Sequence, residues 1–385
     1  MSDLAYSRVA FANTLRGVAA LCVVIQHYFY VFWQERPTVA SLINAPELVS
    51  PALPPTLIRW VGYLQPFELG QFGVGLFFLI SGFVIPFSFA RGSRRSFIVG
   101  RLARIYPTYA VGFGCTLAAV WMCGRHFGRP FPYDATSVVV HFFPGVQAWA
   151  LTRGIDGIIW TLNIEIMFYL LCAAMAGGFT QGSASVFVAP FFLTAVAWLV
   201  VPISGVMGGE TAVRASVLCL IVQFLNLMFI GVAFNYMARR LFSPQTTITV
   251  MIALAISMMT IWQRALPIEM RYGWSYAAAL LAFATAFAFR HSAVFRPKRI
   301  TEFLADISYP LYLVHGVVGY ASMRVLLELG WPPALALVAT FFVVMGFATL
   351  VHFAVEQPTH QLGKRWGSKW QRYASVSPSA ATATR

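Results

Sequence analysis

The chain has 385 residues, of which 59% are hydrophobic, 16% aromatic and only 10% charged. Because soluble domains carry roughly 25% charged residues, this composition excludes a soluble globular protein and predicts an all-α polytopic membrane protein. The formal net charge of +14 would suggest a nucleic-acid partner for a soluble chain. Here the basic residues lie mostly between apolar runs, as in the cytoplasmic loops of membrane proteins, so no nucleic-acid binding is expected.

Ten apolar segments are long enough to be membrane spans, since a hydrocarbon core about 30 Å thick requires roughly 20 apolar residues per helix. Together they predict one membrane-embedded domain over residues 1–360. The remaining residues, 361–385, end in SVSPSAATATR, whose Ser, Ala and Thr content predicts a disordered, polar tail. The predicted spans lie near 11–33, 70–90, 105–124, 157–177, 185–203, 213–237, 247–263, 274–290, 304–328 and 333–355.

The distribution of Lys and Arg predicts the orientation of these spans. Most of the 27 basic residues lie in alternate connections, such as 91–104 and 290–299, and in the tail. Because basic loops are retained in the cytoplasm during insertion, both termini are expected there, in agreement with an even number of spans. The two longest connections, about 34–69 and about 125–156, are then on the outer face, where they can cover a site.

The first predicted span carries two ionisable residues on one face. Arg16 and His27 are eleven residues apart. In an α-helix this spacing is three turns plus about 20°, and about 16 Å along the axis. Arg16 extending to the headgroups and His27 bonding a neighbouring carbonyl would account for both residues structurally. His27 is also suited to act as a general base, provided that a partner fixes its tautomer.

The fourth predicted span, IDGIIWTLNIEIMFYLL, offers such a partner. Glu165 lies about 12 Å below the outer end of this helix, and His27 lies about 9 Å below the outer end of its own helix. Because the depths agree, we predict that Glu165 orients His27 in a catalytic pair. A Glu–Arg pair that merely holds helices together is the alternative.

A basic segment, RGSRRSFIVGRLARIYPTY, connects the second and third predicted spans. Its first three arginines suit anionic lipid headgroups. Arg101 and Arg104 differ because they are three residues apart where the third span begins. They therefore form a two-pronged cationic face, which predicts phosphate binding.

Two further segments contain candidate site residues. In GQFGVGLFFLISGFVIP, Gly82 and the proline that follows can interrupt the helix beside Ser81 and expose amides to an oxyanion. Close packing of helices at the glycines is the alternative. In ADISYPLYLVHG, Ser308, Tyr312 and His315 share one helical face. Tyr312 and His315 are candidate substrate-binding residues, with plain packing as the alternative.

Six stretches of the chain resemble the membrane-bound acyltransferase family 3. These are LRGVAALCVVIQH, FGVGLFFLISGF, RLARIYP, WTLNIEIMFY, ISYPLYLVH and VEQP. Any one of them is weak, but all six occur in the family's order between residues 15 and 358. The family includes bacterial O-acetyltransferases that act on O-antigen, exopolysaccharide, Nod factors and macrolides.

The resemblance implies transfer of an acyl group, usually acetyl, from cytoplasmic acyl-CoA to a hydroxyl. The implied acceptor is a glycan, a lipid-linked saccharide or a similar molecule at the outer face of the bacterial inner membrane. No metal is implied. The family's Arg-to-His motif corresponds to Arg16 and His27, its basic pair to Arg101 and Arg104, and its conserved carboxylate to Glu165.

This chemistry agrees with the expected geometry. The phosphates of CoA are too anionic to cross lipid, so they must stay near the cytoplasmic face. They are expected at Arg101 and Arg104, with Arg16 at the mouth of a channel whose length suits the arm that carries the thioester. His27 then removes the proton of the acceptor hydroxyl directly, or carries the acyl group itself as an acyl-histidine. Ser81 or the amide that follows it is the candidate for oxyanion stabilisation.

Two other classes of protein also use ionisable residues inside a membrane. A proton-coupled transporter or a lipid-linked glycan flippase is the first of them. The chain shows no internal repeat of hydropathy, which argues against transport. A purely structural scaffold is the second, and it has little use for Arg16, His27 and Glu165 at compatible depths.

Overall fold

The protein is mostly helical over the residues that its computed structural model describes, which are 3–49, 64, 67–89 and 93–376. No strand occurs in these ranges, which agrees with the predicted all-α class. In chain order the α-helices are α1 (Asp3–Gln26), α2 (Phe32–Gln34), α3 (Arg36–Ile43), α4 (Leu69–Val84), α5 (Arg94–His126), α6 (Ala135–His141), α7 (Gln147–Ala150), α8 (Ile159–Ala174), α9 (Ala176–Gln181), α10 (Val188–Met207), α11 (Gly209–Ala238), α12 (Pro244–Ala265), α13 (Gly273–Ala288), α14 (Arg299–Val314), α15 (Val317–Glu328), α16 (Pro333–Val351) and α17 (Gln357–Val376). Short 3-10 turns cover Ile85–Ser88, Ala184–Phe187, Pro267–Tyr272 and Ala293–Phe295, and π-helical turns cover His27–Val31 and His352–Glu356.

The long apolar helices confirm a polytopic membrane protein. Within the described ranges, 7 helical segments have the length and composition of a membrane span, and there are 8 if α14 and α15 together form one. All ten predicted segments fall on helices, but α8 and α13 have only 16 residues each. These two helices are shorter than the roughly 20 residues that a full crossing requires.

The span predicted over 304–328 is bent by 69° between α14 and α15. The bend lies at His315 and Gly316, where the backbone of Gly316 has φ −66° and ψ −93°. The His315 ring nitrogen Nδ1 lies 2.8 Å from the Tyr312 carbonyl oxygen, and so offers a polar contact where helical hydrogen bonds are interrupted. This bend turns His315 toward the first span.

Glycines allow the central helices to approach one another closely. A Cβ on Gly73 of α4 would lie 2.6 Å from the Ala19 carbonyl oxygen of α1. A Cβ on Gly231 of α11 would lie 3.0 Å from the Gly82 Cα of α4. Helices with small residues at their interface gain van der Waals contact that bulkier residues would prevent. The close approaches at Gly73 and Gly82 support the packing alternative for the glycines of α4.

The predicted outer connection at 125–156 folds inward at its end. Asp156 is only 4% exposed, and its carboxylate accepts hydrogen bonds at 3.0 Å from the amides of Ile158 and Ile159, which cap α8. The Tyr109 hydroxyl donates to the same carboxylate at 3.2 Å. The helix that carries Glu165 thus begins inside the protein.

Most of the other long connection, 50–63 and 65–66, lies outside the described residues.

The tail differs from the sequence prediction, because the chain continues as helix α17 over Gln357–Val376. A Cβ on Gly363 would lie 2.6 Å from the Ala103 Cβ of α5, and one on Gly367 would lie 2.6 Å from the Ser96 hydroxyl. Residues 361–376 are therefore helical in the structure, whereas their composition predicted disorder. Polar composition by itself does not reveal a helix that is stabilised by packing against a neighbouring helix. Residues 377–385, and residues 90–92 of the basic connection, lie outside the described ranges.

Candidate active site

His27 stands at the first residue of the π-helical turn His27–Val31. Such turns inside α-helices are frequent at functional sites, because the extra residue changes the direction of the side chains. The His27 ring nitrogen Nδ1 shares a hydrogen bond with the Tyr320 hydroxyl. The ring centroids of His27 and His315 are 4.7 Å apart, with the planes at 81°. His27 therefore lies against the bend between α14 and α15.

Tyr320 is held firmly beside His27. It is 1% exposed, and its ring stacks on the imidazole with centroids 5.8 Å apart and planes at 20°. On the same side, the Tyr28 hydroxyl donates to the His315 carbonyl at 2.8 Å and ties the first span to the bend. The sequence carries no spacing signal for Tyr320, because only the bend brings it to a residue far away in the chain.

An internal cavity of about 60 Å³ lies among α1, α4, α8 and α14. The structure brings four predicted site residues together in its wall, since Arg16, Ser81, Glu165 and Tyr312 all line it. Arg16 and Glu165 interact electrostatically. The Glu165 carboxylate accepts a hydrogen bond from the hydroxyl of Tyr169, one turn along α8. The other polar lining residues are Thr161, Ser308 and Tyr309.

The sequence predicted that Glu165 orients His27, but in the structure the two residues have different partners. Its hydrogen-bond partner is Tyr169, while the partner of His27 is Tyr320. The expected depth assumed that α8 begins at the outer membrane surface. Asp156 instead caps this helix from a buried position, and Glu165 lines the same cavity as Arg16.

A chain of contacts links the cavity to His27. The hydroxyls of Thr161 and Tyr312 are hydrogen-bonded at 2.9 Å. The Tyr312 ring lies 5.6 Å from the His315 ring, which in turn contacts His27. Tyr312 therefore faces the cavity, whereas His315 faces the imidazole. The two residues, which were predicted to share one helical face, thus contact two adjoining regions, the cavity and the His27 ring.

The predicted basic pair points into the protein beneath this cavity. Arg101 lies over the Tyr169 ring at 5.2 Å, and its guanidinium donates to the Ser88 hydroxyl at 3.2 Å. Arg104 is 20% exposed, and its Nε lies 3.4 Å from a carboxylate oxygen of Glu356. Neither arginine lines the cavity, but Arg104 interacts electrostatically with Arg16, which does.

Glu356 connects Arg104 to the second π-helical turn. Its other carboxylate oxygen lies 2.9 Å from Nδ1 of His352, and its side chain is 5% exposed. The first and last residues of the turn His352–Glu356 are thereby joined. Sequence reasoning assigned no role to Glu356, although it lies in the VEQP stretch. The position of Glu356 predicts that its carboxylate holds the Arg104 side chain in place.

The structure does not support an exposed amide at Gly82. Helix α4 runs unbroken from Leu69 to Val84 through this residue. A Cβ on Gly82 would overlap the Met228 carbonyl oxygen of α11, so the glycine serves close packing of the two helices. The interruption follows only at Ile85–Ser88. Ser81, by contrast, lines the cavity beside Arg16 and Glu165.

Comparison with known proteins identifies the family of the chain. The acyltransferase domain of family 3 matches residues 9–353, which is nearly the whole chain. Nodulation protein 10 of Rhizobium leguminosarum bv. viciae is 29% identical over 113 residues, covering 26% of this chain and 31% of that protein. The chain thus matches about a third of the length of this curated relative, and no solved structure matches it. The chain belongs to acyltransferase family 3, and its long apolar helices are those of a multi-pass membrane protein.

Proposed function

We propose that the protein transfers an acetyl group from cytoplasmic acetyl-CoA to a hydroxyl of a glycan or lipid-linked saccharide at the outer face of the bacterial inner membrane. The observation that carries this proposal is the chain of contacts from the cavity wall at Arg16 to His27. One helix holds both residues, and Tyr312 and His315 bridge the space between the cavity and the imidazole. The acceptor class comes from the family resemblance.

The donor binds with its phosphates on the side of Arg101 and Arg104 and its thioester toward His27. Guanidinium groups suit phosphates because they present several donors in a fixed plane. Arg16, in the cavity wall, steadies the arm that joins the phosphates to the thioester. The separation of about 16 Å between Arg16 and His27 along the helix suits such an arm.

His27 acts as the general base through Nε2. When Nδ1–H donates to the Tyr320 oxygen, Nε2 keeps a free lone pair and accepts the proton of the acceptor hydroxyl. The hydroxyl oxygen then attacks the thioester carbonyl carbon, so that a C–O bond forms. The C–S bond breaks next, and the CoA thiolate takes the proton back from the imidazolium. Ser81 is the candidate donor to the intermediate oxyanion.

Entry of the donor requires side chains to move. The cavity of about 60 Å³ is smaller than the roughly 300–1,000 Å³ of ordinary ligand sites. Phe77 and Tyr312 both line it, and their rings meet at 6.0 Å between centroids. Separation of these two rings would open the cavity toward His315.

Acyl transfer itself is tested in vesicles that hold the purified protein, with radiolabelled acetyl-CoA outside the cytoplasmic face and a hydroxyl-bearing saccharide on the other side. The expected result is labelled saccharide, together with one free CoA per transferred group. Movement of unmodified saccharide without any donor would contradict the proposal and favour a transporter.

Tyr320 and Glu165 differ in their expected effects on the pH profile. Tyr320→Phe removes the hydrogen bond to Nδ1 of His27. It is expected to lower kcat by about 10- to 100-fold, since one hydrogen bond to a charged group contributes about 1.5–3 kcal/mol. The pH profile of kcat should shift as well, because the imidazolium loses its partner. Glu165→Gln should instead raise KM for the donor and leave that profile in place.

The two variants are measured side by side from pH 5 to pH 9, with thermal unfolding as the folding control. If the pH profile shifted in Glu165→Gln but not in Tyr320→Phe, the result would contradict the assignment of Tyr320 and identify the Glu165 carboxylate as the partner of His27.

A further inference from the structure

Helix α17 docks along α5, the helix that carries Arg101 and Arg104. The contacts of Gly363 with Ala103 and of Gly367 with Ser96 hold the two helices close along their length. His360 and Lys364 are one turn apart on α17, so their side chains point in similar directions. Helix packing therefore adds two more basic side chains to the region of the two arginines.

These basic side chains form one cluster. The four residues with the largest electrostatic effects on His360 are all basic, namely Arg104, Lys364, Arg101 and Arg16. Three carboxylates of the described residues also interact with Arg16. Glu356 already contacts Arg104 and His352, and Glu165 accepts a hydrogen bond from Tyr169. The third, Asp306, is exposed. Like charges at such proximity repel one another, so the cluster is suited to a ligand with several negative charges.

The exposure of the cations increases in one direction. Arg16, in the cavity wall, and Arg104, whose side chain is 20% exposed, are both half-buried, whereas Lys364 is exposed. An acyl-CoA presents its groups in a matching order, with the thioester at one end, the pyrophosphate in the middle and the 3′-phosphate of the ribose at the other end. The outermost cation thus corresponds to the outermost phosphate.

We propose that α17 completes the donor site and that Lys364 binds the 3′-phosphate of the acyl-CoA, with His360 between it and the arginines. This inference rests on the proposed function, because it assumes that CoA is the donor. It assigns a ligand-binding role to the helical tail, and it separates the 3′-phosphate contact from the pyrophosphate contacts at Arg101 and Arg104.

The experiment compares acetyl-CoA with acetyl-dephospho-CoA, which lacks only the 3′-phosphate. The full chain is assayed for acetyl transfer as wild type, Lys364→Gln, Lys364→Arg and Lys298→Gln. Lys298 is an exposed lysine at the start of α14 and serves as the matched control. Equilibrium binding of CoA and dephospho-CoA is measured on the same samples, so that the contact is tested even without turnover.

Wild type is expected to favour acetyl-CoA over the dephospho donor by about three- to tenfold in kcat/KM, the range for a charge-assisted contact at an exposed position. Lys364→Gln should remove this preference by raising KM for acetyl-CoA, with the dephospho donor unaffected. Lys364→Arg and Lys298→Gln should both retain the preference. Binding of free CoA should follow the same pattern.

Three results would overturn the inference. The first is wild-type protein that binds CoA and dephospho-CoA equally, and the second is a preference that survives in Lys364→Gln. The third is an equal loss with both donors that depends on anionic lipid in the vesicles, which would identify Lys364 as a headgroup contact. A wild type that binds CoA with the expected preference but transfers nothing would contradict the proposed function and leave the 3′-phosphate contact standing.

Discussion

Replacement of His27 by alanine is expected to lower kcat for acetyl transfer by about 10²–10⁴-fold, because a positioned general base contributes a factor of this size. KM for the donor should change little, since the phosphates bind on the side of Arg101 and Arg104. The measurement is the initial rate of labelled saccharide formation at saturating acetyl-CoA, together with binding of CoA at equilibrium.

His291→Ala is the matched control, because His291 is an exposed histidine just beyond α13. It should transfer acetyl groups at the wild-type rate. Equal rates for His27→Ala and wild type would remove His27 from the reaction. A His27→Ala protein that no longer binds CoA or unfolds at a much lower temperature would assign a structural role to this residue.

Replacement of Gly82 by leucine is expected to have the largest effect on stability. Any side chain at this position would overlap the Met228 carbonyl of α11, which is backbone and cannot rotate away. The helices must separate, and the contacts around Gly231 are then lost. We expect destabilisation by about 3 kcal/mol or more, at or beyond the upper end of the range for overpacking. Thermal unfolding of the purified protein in detergent measures this effect.

Gly346→Leu is the control for this substitution. Beyond its chain neighbours and the backbone of its own helix, a Cβ on Gly346 would meet no atom within 4 Å, and the residue is exposed on α16. Because leucine is also a better helix former than glycine, stability should be unchanged or slightly higher. Similar melting temperatures for Gly82→Leu and Gly346→Leu would contradict the close approach of α4 and α11.

The largest error of the sequence prediction concerned depth. Residue counting along α8 assigned Glu165 to the level of His27, on the assumption that the helix begins at the membrane surface. The buried cap at Asp156 begins it inside the protein, and Glu165 lies in the same cavity wall as Arg16 instead. Sequence spacing measures distance along a helix, but the position at which that helix begins depends on the folding of the connection before it.

The partners of the predicted residues could not be found from the sequence for a related reason. Tyr320 meets His27 because α14 and α15 bend by 69°, and Glu356 meets Arg104 at a π-helical turn. Neither pair has a spacing that a periodic pattern could reveal, since both pairs join residues far apart in the chain. The helical α17 was missed because its polar composition carries no signal for the helix on which it docks.

The sequence by itself determined the class of the protein and the positions of its apolar segments, and it predicted a shared helical face for Arg16 and His27. These properties depend on composition and on the 3.6-residue repeat, which are local. Only the tertiary structure decided which residue holds the imidazole, which side chains share the cavity and which helix completes the basic cluster. Those outcomes depend on where helices bend, begin and approach one another, and close packing of distant segments determines all three.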